Sequence, residues 1–118
     1  MAVTGIGGVF FRSADPDALT QWYKDHLGVT MEGYEPWRQA AGPTVFMPFA
    51  ETTDHWPDNK QWMINFRVDD LDETLSKLRQ AGIAIKTDAS WDSPEAGRFA
   101  RIFDPEGNSI ELWQPPLE

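Results

Sequence analysis

Apolar and polar positions along this chain follow a pattern that occurs twice. Val9-Phe10-Phe11-Arg12, with Asp15 behind it, lies above Ile64-Asn65-Phe66-Arg67, with Asp70 behind it, and Arg12 and Arg67 are 55 positions apart. Each copy reads as a strand leading into a helix. In the first, Leu19, Trp22, Tyr23 and Leu27 recur at helical spacing; in the second, Leu71, Leu75, Leu78 and Ala81 do. Asp15 can accept from the open N–H groups of the first helix, and Pro16 suits the first helical position because its missing donor costs nothing there. Asp70 with Glu73 has the spacing of a capping box. Gly28 and Gly82 follow as left-handed stops.

Strand patterns fill much of the remainder. Thr44 to Phe49 and Arg98 to Phe103 are β-like, and Ser109 to Trp113 alternates. Asp104-Pro105-Glu106-Gly107-Asn108 is turn chemistry that joins the last two as a hairpin. The polar stretches Glu51 to Lys60 and Asp88 to Gly97 are long for plain connections, and loops of that kind commonly shape pockets. The expectation is one α+β domain over residues 1–118, built of a first module over about 1–59 and a second over about 60–118.

Composition narrows the function. A chain of 118 residues supports one core, and no apolar run nears the roughly 18 residues a membrane helix needs. No secretory leader is visible at the start and there is no cysteine, so disulfides and thiolate chemistry are excluded and a cytoplasmic protein is expected. The net charge of −9 repels a phosphate backbone and argues against nucleic-acid binding, while it attracts cations. The six tryptophans suit a core, an interface or the wall of a ligand site.

Three segments resemble the vicinal oxygen chelate superfamily, which includes glyoxalase I, extradiol dioxygenases and bleomycin-resistance proteins. They are Gly5-Ile6-Gly7-Gly8-Val9-Phe10-Phe11-Arg12 with Asp15; Phe66-Arg67-Val68-Asp69-Asp70-Leu71; and Asp104-Pro105-Glu106-Gly107-Asn108-Ser109-Ile110-Glu111-Leu112. The resemblance implies two βαβββ modules that curl into an open barrel around a central cavity, with the helices outside. It also implies a homodimer. Members that use a divalent metal would place donors at Gly8, Met47, Met63 and Glu111, and only Glu111 suits a hard cation. His26 and His55 do not make good the loss, so no metal cofactor is expected unless the register is shifted.

Strand alternation then gives the cavity wall: Phe10 and Arg12; Met47; Met63, Asn65 and Arg67; Phe99 and Arg101; Glu111 and Trp113. A mostly apolar wall with a few polar groups suits a small molecule. The reading is a binding protein for a small aromatic or cationic organic compound. The alternative is a glyoxalase-like lyase or isomerase acting on a small carbonyl compound, with Glu111 as general base or with a divalent metal. Glu111 could equally do no more than neutralise Arg12 or Arg67, and those arginines could instead hold a carboxylate.

Overall fold

The computed structural model describes residues 2–30 and 33–117. Its elements run α1 (Pro16–Leu27), β1 (Ile64–Arg67), α2 (Leu71–Gln80), a 3-10 turn (Ala89–Trp91), β2 (Arg98–Phe103) and β3 (Ser109–Gln114). Local chemistry starts and stops both helices. Asp15 Oδ1 accepts from the Ala18 amide at 3.2 Å, and Asp70 Oδ1 from the Glu73 amide at 3.0 Å. The capping box at α2 is half made, because the Glu73 carboxylate pairs with Lys77 one turn on, at 3.2 Å. The Leu71 amide, another open donor of that turn, is taken up by Gln114 Oε1 at 2.8 Å. Gly28 and Gly82 end the helices at φ of 68° and 80°, and Ala81 is an exposed cap rather than part of the apolar stripe.

β3 is the middle strand, parallel to β1 on one side and antiparallel to β2 on the other. The register places Ile64, Ile110 and Ile102 in one row and Phe66, Leu112 and Ala100 in the next. These rows face the helices. Ala100, Ile102, Ile110 and Leu112 are wholly buried, packed with Leu71, Leu75 and Leu78 of α2 and Leu19 and Tyr23 of α1. Each large aliphatic side chain so buried contributes about 1.5–3 kcal/mol. Lys86 and Arg101 exchange two backbone hydrogen bonds of 2.8 Å, so a fourth strand on the outer edge of β2 is reduced to a single bridge. The result is a small α+β fold with an unclosed mixed sheet.

The turn between β2 and β3 ties the early part of the chain to the late part. Asp104 is buried; its Oδ1 accepts from the amides of Glu106 and Asn108, and its Oδ2 from Asn108 Nδ2 at 2.7 Å and the Tyr23 hydroxyl at 2.8 Å. Glu106 accepts from Ser13 Oγ at 2.6 Å and from the Ala14 amide at 2.9 Å, and its carbonyl accepts from Lys60 Nζ at 3.3 Å. The turn is therefore a clasp on the segment leading into α1.

The first half differs from expectation. Among the described residues, none from 2 to 15 or 33 to 63 lies in a strand, including Val9 to Arg12 and Thr44 to Phe49. Gly5, Gly7 and Gly8 have no side chain to pack on a pleated surface, and Pro43 and Pro48 cannot donate to a ladder. The expected strand–helix–strand order is seen in the second half, and the barrel formed by two such modules is not formed by these strands.

Candidate functional site

The period of two that buries the isoleucine rows puts a different set of residues on the opposite face. Asn65, Glu111 and Arg101 stand in one register row, and Arg67, Trp113 and Phe99 in the next. Glu111 Oε1 accepts from Asn65 Nδ2 at 2.8 Å, and Glu111 Oε2 lies 3.5 Å from Arg101 Nε. The side chains of Arg101 and Glu111 are only 14% and 15% exposed. A charge so sheltered needs a partner, and here each supplies the other. At 3.5 Å the contact is an ion pair only, and Arg101 Nε has no hydrogen bond.

The other guanidinium nitrogens of Arg101 reach a loop. Nη1 donates to the His55 carbonyl at 3.1 Å, and Nη2 lies 3.0 Å from His55 Nδ1. Arginine can only donate, so Nδ1 is the acceptor there and the ring proton sits on Nε2. The guanidinium carbon also lies 4.3 Å from the centre of the Trp91 ring, a cation–π contact. Phe49 packs edge-on against His55 and Trp56. The two long loops thus bring His55 and Trp91 to the strand residues.

The aromatic row is held as firmly. The rings of Phe99 and Trp113 are 8° from parallel with centres 6.3 Å apart, and Trp113 Nε1 donates to the Ala96 carbonyl at 2.8 Å. Gly97 makes this approach possible. It is buried at φ of 102°, and a Cβ there would run into the Gln114 carbonyl oxygen and reach 3.0 Å from Trp113 Nε1. Asp92 fixes the start of β2 by accepting from the Phe99 amide at 3.0 Å.

Of the residues expected at the cavity wall, Asn65, Phe99, Arg101, Glu111 and Trp113 come together on this face. Met63 is half-buried just before β1. Arg67 shares a register row with Trp113, but its Nη2 donates to the Ala40 carbonyl at 3.0 Å. Phe10, Arg12 and Met47 lie on exposed segments of the first half, with no hydrogen bond or ring contact to the face. Glu111 pairs with Arg101 and with neither Arg12 nor Arg67. His26 is elsewhere, its ring against Trp22 in the last turn of α1. Sequence reasoning missed Trp91 and gave His55 no part in the face, although the lengths of their loops pointed to a pocket.

The positions at which the resemblance places metal donors do not fit a divalent cation. Gly8 offers nothing, Met47 is exposed, and a guanidinium stands 3.5 Å from the carboxylate of Glu111. Among the described residues no three His, Cys, Asp or Glu side chains come together as a metal-binding group. No helix among them is long and apolar enough to cross a membrane.

Comparison with known proteins agrees with the fold. A crystal structure of TnmS3, an antibiotic binding protein from Streptomyces sp. CB03234, superposes with a TM-score of 0.59 over 98% of both chains at 24% identity, a likeness of fold. Proteins of Mycobacterium tuberculosis and Mycobacterium bovis with the provisional name glyoxylase CFP32 are 37% identical over 54 residues, 46% of this chain. That match spans only 20% of the mycobacterial proteins. The family model described as glyoxalase/bleomycin resistance protein/dioxygenase superfamily matches residues 5–112, nearly the whole sequence, and the chain belongs to that superfamily.

Proposed function

We propose that the face of Asn65, Glu111, Arg101, Phe99 and Trp113 binds a small, flat aromatic molecule without a metal ion. The observation that carries this is the near-parallel Phe99–Trp113 pair beside an ion pair already matched internally. Parallel rings offer a surface on which a third flat ring stacks. Glu111 and Arg101 balance each other, so that pair adds little charge, and the net −9 of the chain favours a positively charged ring over a negative one, with Arg67 at the end of the aromatic row the one group opposing it. The antibiotic binding protein that shares the fold supports a binding role for this one. The competing lyase or isomerase chemistry would use Glu111 as a base or a divalent metal; as a base, Glu111 would first have to leave Asn65 and Arg101, which engage its two oxygens.

A homodimer is part of the same reading. Phe10 and Phe46 are each 88% exposed, and Val45 and Met47 lie open beside Phe46. A second copy covering these side chains would remove apolar surface from water, the main favourable term in association.

The test is tryptophan-fluorescence titration with anthracene methanol and its methylammonium analogue. Both should quench, and Trp113→Ala should weaken binding about two- to tenfold. Absence of quenching to millimolar concentration would remove the binding role. A stoichiometric divalent metal retained through dialysis would remove the metal-free part.

A further inference from the structure

On the helix side of the sheet, at the edge formed by β1, a crevice of about 390 Å³ opens between the last turn of α1 and α2. Its volume lies within the range of small-molecule sites. The floor is apolar, made by Phe66 and Leu112 from the sheet and by Trp37, whose ring meets Phe66 edge-on at 6.3 Å. The rim is basic. Among the described residues, Lys24, Arg67 and Lys77 line this one crevice, with His26, against a single acid, Asp25.

Part of that charge has a local purpose. Lys24 sits in the last turn of α1, where a cation offsets the helix dipole, and Lys77 pairs with Glu73. Arg67 is different. It belongs to a strand, so no helix end requires it, and among the described residues no carboxylate lies within ion-pair distance of it. Its one hydrogen bond goes to the neutral carbonyl of Ala40, in an exposed segment. The segment lies directly on the guanidinium, and a side chain at position 42 would strike Arg67 Nη1; Gly42 has none.

We infer that this crevice binds an amphipathic carboxylic acid, its apolar body on Trp37 and Phe66 and its carboxylate on Arg67 in place of the Ala40 carbonyl. A carboxylate matches the planar fork of a guanidinium with two oxygens and brings the charge that a carbonyl lacks. The acidic surplus of the chain does not forbid this. Acids more than about 8 Å away are largely screened at physiological salt, whereas the basic rim acts at contact. The apolar floor of the crevice is separate from the Phe99–Trp113 face, because Phe66 points away from it, while Arg67, on the edge strand and in the register row of Trp113, borders both.

The experiment uses naphthalene acetate, naphthalene ethanol and naphthalene ethylammonium, followed by calorimetry and by the indole N–H signals of the tryptophans in NMR. The acid should bind best and shift the Trp37 signal. Arg67→Gln should weaken the acid about ten- to hundredfold, the worth of a charge-assisted hydrogen bond, while leaving the alcohol unchanged. Arg67→Lys should restore part of the loss. Trp113→Ala should leave the acid's affinity alone. Melting temperature shows that each variant is folded, and Trp37→Leu, at an exposed position, tests the floor independently. Equal affinity for acid and alcohol, an acid that shifts Trp113 instead of Trp37, or no binding by any of the three would overturn the assignment. The last two outcomes say nothing against stacking of larger rings on Phe99 and Trp113.

Discussion

Replacing Tyr23 by Phe removes one oxygen from the centre of the clasp between α1 and the β2–β3 turn. The Tyr23 hydroxyl is a donor to Asp104 Oδ2 at 2.8 Å, inside the core. The Asp104 carboxylate accepts four hydrogen bonds, so the change leaves it with three: two from amides and one from Asn108 Nδ2. The ring stays, so no cavity forms and the loss is that of a hydrogen bond to a charged group, about 1.5–3 kcal/mol. For a domain of this size that lowers the melting temperature by about 5–15 °C. Alkaline pH gives a second readout. Burial first, then the hydrogen bond and charge of Asp104, push the Tyr23 hydroxyl well above the usual tyrosine range. A raised value means that the folded state holds the proton more tightly than the unfolded state. The stabilisation is therefore complete below about pH 10, the ordinary tyrosine value, and is lost as pH rises beyond it. Urea denaturation of both proteins from neutral to alkaline pH measures this. The wild-type protein should lose its advantage above about pH 10, with the two curves converging. A Phe variant within about 0.5 kcal/mol of wild type at neutral pH, or curves that stay parallel, would show that the bond contributes nothing net.

Gly97→Ala should cost about 2–4 kcal/mol, because φ of 102° strains any L side chain and the new methyl meets the Gln114 carbonyl. The same variant should alter Trp113 emission, which fluorescence at a temperature below the lowered melting point would record. Ser13→Ala bears on acid stability. Hydrogen bonds from Ser13, then from the Ala14 amide, hold the Glu106 carboxyl below its usual range, so that stabilisation exists above the carboxylate range and is lost as pH falls through the depressed value. The variant should show a shallower acid limb in a pH series of thermal melts, and an unchanged limb would count against the clasp.

The helices were legible because their signals are local: Asp15 with Pro16, Asp70 with its free amides, and a glycine at each end. The second-half strands were legible because alternation fixes faces, which sets Ile110 and Leu112 opposite Glu111 and Trp113. Pairing was not legible. Whether Glu111 meets Arg12, Arg67 or Arg101 depends on which strands adjoin β3, and the antiparallel β2–β3 register put Arg101 beside it. The first-half strands were read from the apolar runs Val9-Phe10-Phe11 and Val45-Phe46-Met47, which ask for a partner that alternation cannot name. The edge crevice left no sequence trace, because Trp37, Arg67 and Lys77 meet there only through the crossing of three segments.

The clasp also has a clock attached to it. Tyr23 and Asp104 are 81 positions apart in the chain, and Ser13 and Glu106 are 93 apart. A ribosome adding about 5–20 residues per second delivers the second partner roughly 4–20 s after the first. Through that interval Leu19 and Tyr23 lack β2 and β3, which supply the wholly buried residues they pack against. The nascent first half is thus an apolar segment waiting for its lid, open to chaperones and to neighbouring copies on the same message. Only when the Asp104 turn emerges can the early helix be fastened to the sheet.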